Sequence, residues 1–591
     1  MDVPTRKRDV PSPRLFERLI NGGTCAYIFL LVQLFPFVSS AQELSRIGEI
    51  QPFSIRGSVS GTMGGNSISG LPRRQQPFSW MLSGAATATV YDVEIPFSFV
   101  FAERERSYHQ PFDEFGLSPT YKWVRAHLGY RSLTWSRYSV AGIRFAGAAV
   151  ELFPKDFQFA LLYGRLARAV EQDSTNPSAA PAYRRTGWGA MAKIGNEDGF
   201  FRISLFQASD DTNSLARRPS NVLPQENTTG SFEAHFVAFD WLSADLDVGA
   251  SFLTRNLYSP PLTGGGLSGS KQQNRVRHFK RFFDVRTTST LAFAARAGVL
   301  FRLPWAITRI DYEIIEPEFT SFGAYYFNSD VQNITVSPSF HLFNGALRIA
   351  ASAGVQSDNV GNTKAATTTR LITSANIGWS PNRTWNIDAA FSNYATSQAS
   401  AREALNDSIR VRNVNTSLSL TPRMMLESSA LRHVVTVSAI MMQYDDMNIL
   451  SGRFSGSTTK TASVSYFLGV KETPWSAVTS ASWSNTETAF GETKNIGFSV
   501  GGSTSFFEGA LQLSLVVGYS RITVGSAGAS GVVTQSLAVG YRASADDQLS
   551  FTYTGSQNGG GSQINPVFRE HTAMLHYTRA FSWSPSARRN P

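Results

Sequence analysis

With 591 residues, 42% hydrophobic but only 17% charged, the chain has room for several soluble domains or one large membrane barrel, and it carries fewer charges than the usual quarter of soluble proteins. Its one cysteine, Cys25, falls in the N-terminal segment, so a processed chain would hold no disulfide, thiolate metal site or thiol nucleophile. The formal charge of +10 is spread along the sequence; removing Met1–Ala41, with five Lys/Arg and three Asp/Glu, leaves about +8, too diffuse a surplus for a nucleic-acid binder.

Residues 1–41 read as an export signal. Arg6, Lys7, Arg8, Arg14 and Arg18 precede the apolar run CAYIFLLVQLFPFV, and SSA at 39–41 offers small residues for cleavage after Ala41. The run is short of the ~20 residues of a spanning helix, and no later stretch approaches one. Residues 42–76 form an N-terminal segment in which FSIRGSVSGTMGG (53–65) reads as one possible extra strand.

From Pro77 to Trp583 a single pattern recurs, and a short tail, 584–591, follows. In ALQLSLVVGYSRI (510–522), Leu511, Leu513, Leu515, Val517 and Tyr519 share one parity, and Gln512, Ser514, Gly518 and Ser520 the other. Side chains alternate between the two faces of a strand, so this segment has one greasy and one polar face. VRNVNTSLSL, VVTVSAIM and QLSFTYT repeat the arrangement. The runs are commonly 11–14 residues long, whereas soluble strands average ~5–6 and tilted membrane strands need ~9–11. Their length sends the greasy face into lipid.

The connections agree. Tight turns at 154–156, 196–199, Asn344-Gly345, 380–383, Glu508-Gly509 and Asp546-Asp547 alternate with longer polar links at 170–184, 211–229, 258–284, 316–330, 397–409, 445–457 and 556–569. Outer-membrane barrels place short turns on the periplasmic side and long loops outside. Trp123, Tyr130, Trp379, Trp385 and Trp475 sit near strand ends, where interface girdles would put them. HTAMLHYTRAFSW (571–583) resembles the terminal strand by which barrel-assembly machinery recognises its clients, although Arg579 interrupts its apolar face. The expected fold is thus an all-β transmembrane antiparallel barrel. Counting from Pro77 gives 24 strands, with 26 the next even total.

QPFDEFGLSPTYKWVRAHLGYR (110–131), with QPFSWMLSG (76–84) before it and SFGAYYFNSD (321–330) after it, resembles a family of exported, uncharacterised outer-membrane barrels of the Bacteroidetes group. The resemblance covers mainly residues 50–340. It implies the outer membrane of a Gram-negative bacterium and supplies no substrate.

Chemistry is sparse. Gly497-Phe498-Ser499-Val500-Gly501 matches G-x-S-x-G, but it alternates as a strand and lacks the strand-to-helix turn of a nucleophile elbow. The eight histidines form no ligand spacing. No catalytic, metal or cofactor residue can be assigned. The segment ahead of Pro77 is too short for the plug domain of a TonB-dependent receptor.

Charges near the start of the barrel are the candidate functional residues. Arg125, His127 and Arg131 oppose Val124, Ala126, Leu128 and Tyr130, and Arg144 opposes Ile143 and Phe145, so all four are expected inside the lumen. There they would either favour anions or pair with Asp113, Glu114 or Glu151. Loop 258–284 adds a basic patch of Lys271, Arg275, Arg277, His278, Lys280 and Arg281, which could instead contact lipopolysaccharide phosphates. The segment 104–122 would be an insert entering the lumen from the periplasmic end, since its aromatics have little use in a solvated loop. The expected role is a porin-like channel or solute-binding barrel. A plugged structural or export component comes second and an outer-membrane hydrolase third. The expected partners are outer-membrane lipid, lipopolysaccharide and, during biogenesis, the assembly machinery.

Overall fold

Strand pairing closes the chain on itself. The computed structural model describes residues 53–584 apart from 74, 92, 103–113, 173–179, 220, 263–270, 326–327, 401–410, 449 and 561–565. Among the described residues every strand pairs antiparallel with its sequence neighbour, and the last, Phe568–Trp583, pairs with the first, Phe53–Ser69. The result is a closed barrel of 26 strands. Its unbroken strands run from 10 residues (Val93–Ala102) to 17 (Phe53–Ser69). Twenty-six strands ~4.8 Å apart and tilted ~40° enclose a backbone ring about 50 Å across.

The count of 24 missed two strands. One is Phe53–Ser69, the extra strand suspected at 53–65. The other lies within 104–122 and is broken in two: Glu114–Leu117 and Thr120–Tyr121 both pair with Val93–Ala102 and with Val124–Thr134. Pro119, which has no N–H to donate, interrupts the ladder. Ser118 N still donates to Pro96 O (2.8 Å), and Ala126 N to Pro119 O (2.9 Å). The second half of the expected lumen insert is therefore barrel wall; 104–113 lies outside the described residues. The register then falls into place, because Lys122-Trp123 becomes a tight turn at the same end as the others.

Those turns are built as the sequence suggested. Phe343, Asn344 and Gly345 all have positive φ, as do Phe507, Glu508 and Gly509. Asn and Gly adopt such angles at little cost, which suits them to tight hairpins. Seven of the eleven tryptophans, Trp123, Trp241, Trp305, Trp379, Trp385, Trp475 and Trp583, ring this short-turn end, each 42–58% exposed. Trp241 stacks on Phe239 (5.4 Å) and Trp305 on Phe340 (6.1 Å).

The greasy parity faces outward over most of the barrel. Leu515, Val517 and Tyr519 are 52, 40 and 53% exposed, with Ile496, Phe498 and Val500 beside them on the same face. From Leu511 at the short-turn end to Arg521 is ten residues; at ~3.3 Å each and ~40° of tilt they rise about 25 Å, the height of an outer-membrane apolar band. Arg579, which breaks the apolar run of the last strand, lies at the short-turn rim of that band. There its Nε is 3.8 Å from Asp547 Oδ1, which also accepts a 2.6 Å bond from Tyr577 Oη.

Candidate functional site in the lumen

The inner wall divides into two arcs. Across the first, from Val124 to Ile315, two connections at the long-loop end fold inward and cover the wall. One is 135–140; the other is 316–325, expected to be a solvated outer link. Tyr138, Val140 and Phe319 are fully buried, and Tyr138 meets Phe319 edge-on at 5.7 Å. Ser139 Oγ is bonded to Ser204 Oγ, Ser321 Oγ donates to Ser139 O (2.5 Å), and Ala141 N donates to Gly323 O (2.8 Å). Asn227 holds the second connection from the wall: its Nδ2 donates to Thr320 O (3.0 Å), and its Oδ1 accepts from Phe322 N (2.9 Å). Close approach here requires Gly249, because a Cβ there would sit 2.5 Å from the Tyr138 Cβ and 3.2 Å from the Phe319 ring.

Below these connections the wall carries a charge ladder that sequence reasoning missed. Arg202 Nη1 lies 2.7 Å from Glu233 Oε2, and Arg296 bridges Asp247 (3.6 Å) and Asp311 (2.6 Å). Arg309 bridges Asp245 (2.9 Å) and Asp311 (2.8 Å), while His235 Nδ1 is 2.6 Å from Asp245 Oδ1. The covering connection joins the network, with Arg137 Nη1 and Tyr138 Oη both on Glu313 Oε1 (3.1 and 2.9 Å). Burial, and then the Glu313 carboxylate, push the Tyr138 phenol well above its ordinary pKa, so it stays a neutral donor. Four arginines face five carboxylates, one of which is also hydrogen-bonded to His235, so each charge of this wall has an opposite neighbour within it.

Three of the predicted lumen residues share the inward face of Val124–Thr134, as their parity required. His127 Nε2 is 2.8 Å from Glu151 Oε2, its Nδ1 is 2.9 Å from Ser118 Oγ, and Arg125 Nη1 is 3.9 Å from the same carboxylate oxygen. Arg131 Nη1 donates to Ser98 Oγ (3.1 Å). His127 and Arg131 line a hollow of about 740 Å³ on the inner wall, beside the seam, with Arg56, Ser98, Ser118 and Asp546. Asp113 lies outside the described residues, and Glu114 begins the broken wall strand.

Arg144 was placed on the wrong face. Ile143 (9% exposed) and Phe145 (1%) are the inward residues of Ala141–Leu152, buried under the folded-in connections with Trp135 and Val140. Arg144 takes the opposite parity and faces outward. The error has a physical cause: parity tells lipid from lumen only where the inner wall is wet.

In the basic patch, Lys271 and Arg275 belong to a short helix, Lys271–Val276, and Arg277 to the turn after it. Arg275 forks onto Glu316 (2.5 and 3.0 Å), tying this loop to the second inward connection. His278, Lys280 and Arg281 are exposed.

The second arc, Val331–Trp583 continuing through Phe53–Ala102, has a different wall. Hydroxyls pair across neighbouring strands on its inner face: Ser480 with Ser499 (2.7 Å), Ser476 with Ser503 (2.6 Å), Thr459 with Thr486 (3.0 Å) and Ser60 with Thr578 (2.9 Å). Ser499, centre of the G-x-S-x-G match, is one such rung in mid-strand.

The fold is that of outer-membrane β-barrels. Solved structures of similar architecture include the P pilus tip assembly intermediate PapC-PapD-PapK-PapG of E. coli (11% identity, 91% of this chain and 62% of that one, TM-score 0.41). The P pilus usher (PapC) translocation pore follows (11%, 89% and 99%, TM-score 0.35), and the copper transporter OprC (8%, 90% and 80%, TM-score 0.39). This barrel thus spans 62% of the length of the chain in the assembly intermediate, and the likeness concerns architecture alone. No family model and no curated relative matches the sequence.

Proposed function

We propose that this barrel is a wide, porin-like passage in the outer membrane of a Gram-negative bacterium, in keeping with the Bacteroidetes-type resemblance of residues 50–340. One observation carries the reading: small hydroxyl side chains pair across neighbouring strands on the inner wall from Val331 round to Ala102, while the covering connections keep to the opposite arc. Short Ser and Thr side chains hydrate well, hold no solute strongly and leave the ring wide. The cargo they suit is a bulky polar solute with little net charge. The internally paired ladder argues for weak ion selectivity, in contrast to the anion preference that a row of unpaired arginines would give.

The alternative is an occluded structural or export component. It draws on the inward fold of 135–140 and 316–325, which occupy part of the bore. Single-channel recording of the purified protein in a planar bilayer separates the two. Large steps with a reversal potential near zero support the passage; a folded, inserted barrel that stays silent overturns it.

A further inference from the structure

Near the long-loop end, the outer face of four neighbouring strands carries three basic side chains and an asparagine. Lys460 is in register with Asn485, and Asn485 with Lys494. All three share the face of Val464, Trp483 and Ile496, which are 48, 39 and 61% exposed. Arg521 stands on the next strand, opposite Ile496. The level is set by Tyr519, whose ring leans over Gly531, the cross-strand partner of Arg521. A tyrosine with its hydroxyl turned towards the strand end marks the edge of an apolar band. Arg521 is therefore at that edge, and with strands tilted ~40° the Lys460–Asn485–Lys494 row slants across it, within about 5 Å of its height.

The row has the makings of a built site. Lys494 Nζ is 2.8 Å from Glu492, whereas Lys460 and Arg521 have no carboxylate partner among the described residues. Between the two lysines, Asn485 is only 7% exposed. Its Nδ2 donates to Glu487 Oε1 (3.0 Å), and its Oδ1 is buried without a donor. Leaving such an acceptor unpaired is costly, and a ligand that donates to it removes the cost. Cations flanking an orphaned acceptor call for a headgroup with both anionic oxygens and a hydrogen-bond donor, set above acyl chains that lie along Trp483, Ile496 and Phe498.

We propose that Lys460, Asn485, Lys494 and Arg521 bind a phosphorylated glycolipid of the outer leaflet. Its phosphate meets the cations, and a sugar hydroxyl or amide N–H donates to Asn485 Oδ1. The proposal rests on the outer-membrane reading. The test folds the protein into phosphatidylcholine vesicles containing a small fraction of a bisphosphorylated glycolipid, extracts it and measures retained glycolipid by mass spectrometry. Wild type and an inner-wall control, Arg348→Gln/Arg370→Gln, whose side chains take the parity opposite the lipid-facing Val355 and Leu371, should retain it. The triple variant Lys460→Gln/Lys494→Gln/Arg521→Gln should retain about tenfold less or lower. Asn485→Leu, which keeps every charge, should also lose retention and serves if the triple variant does not fold. The dephosphorylated glycolipid should not be retained, and excess inorganic phosphate should not displace the bound one. Equal retention by the triple variant and wild type overturns the site, as does retention of the dephosphorylated lipid or displacement by phosphate. A wild-type barrel that never inserts into vesicles refutes the outer-membrane reading instead, so the two failures are distinct.

Discussion

Tyr138 Oη donates a 2.9 Å hydrogen bond to Glu313 Oε1, joining residues 175 positions apart in the chain. The bond ties an inward connection to the charge ladder of the wall and holds the covering layer in place with the Tyr138–Phe319 contact. Gly249→Val should expel this layer, since its side chain would need the space that Tyr138 and Phe319 fill. The expected result is higher single-channel conductance from a barrel that still folds. Unchanged conductance would show that the layer does not limit the bore.

Tyr138 also makes docking sensitive to strong alkali. A phenol whose pKa is raised in the folded state contributes fully below its ordinary value of ~10, and the contribution is lost as pH rises towards the folded value. The difference in thermal stability between wild type and Tyr138→Phe should be constant from neutral pH to about 9.5 and shrink above ~10. A difference that grows with alkali would contradict the hydrogen bond to Glu313.

In the ladder, Glu233 is 8% exposed and depends on Arg202. Arg202→Ala leaves a buried carboxylate without its cation and should cost about 3–5 kcal/mol. Arg202→Ala/Glu233→Ala should recover much of that loss. Urea unfolding from vesicles, followed by tryptophan fluorescence, measures both, and a double variant no better than the single one would mean that the pair is not coupled.

Leu515 faces lipid near mid-band, and its neighbour Ser514 faces the bore. Leu515→Arg should destabilise the barrel by ~2–4 kcal/mol and Ser514→Arg by far less. Equal effects in a vesicle-folding assay would put the apolar parity inside.

Orientation can be read on intact cells, because the chain after Cys25 has no cysteine. Ser526→Cys, at the long-loop end, should react with an impermeant thiol reagent, and Arg383→Cys, in a short turn, should not. The reverse pattern would invert the barrel.

Alternation from Ala510 to Ile522 was enough to assign a lipid face, because the inner wall there is open and hydroxyl-lined. The same rule misplaced Arg144, because Ile143 and Phe145 are buried by protein within the barrel. No pattern within the strand announces that its inner wall is covered; Ile143 and Phe145 pack with Trp135 and Val140 from the connection just before them, and Phe322 reaches the same cluster from far along the chain. The clue was aromatics in a connection that solvent would not need. It was applied to 104–122, where Phe115 and Tyr121 belong to a broken strand, and it fitted Tyr138 and Phe319. The ladder hid for a related reason. Arg309, Asp311 and Glu313 share one parity of a single strand and Asp245 and Asp247 one parity of another, but only strand register brings Arg296 between them.

The seam between first and last strands has a consequence for biogenesis. Ser60 bonds to Thr578, 518 residues later, and Phe53 packs on Trp583 at 5.6 Å. Until that final pairing is made, the sheet keeps two open edges whose backbone groups have no partner in hydrocarbon. Loss of either terminal strand therefore leaves its partner with an open edge in the bilayer, and the two ends of the chain must both be present before the sheet can close.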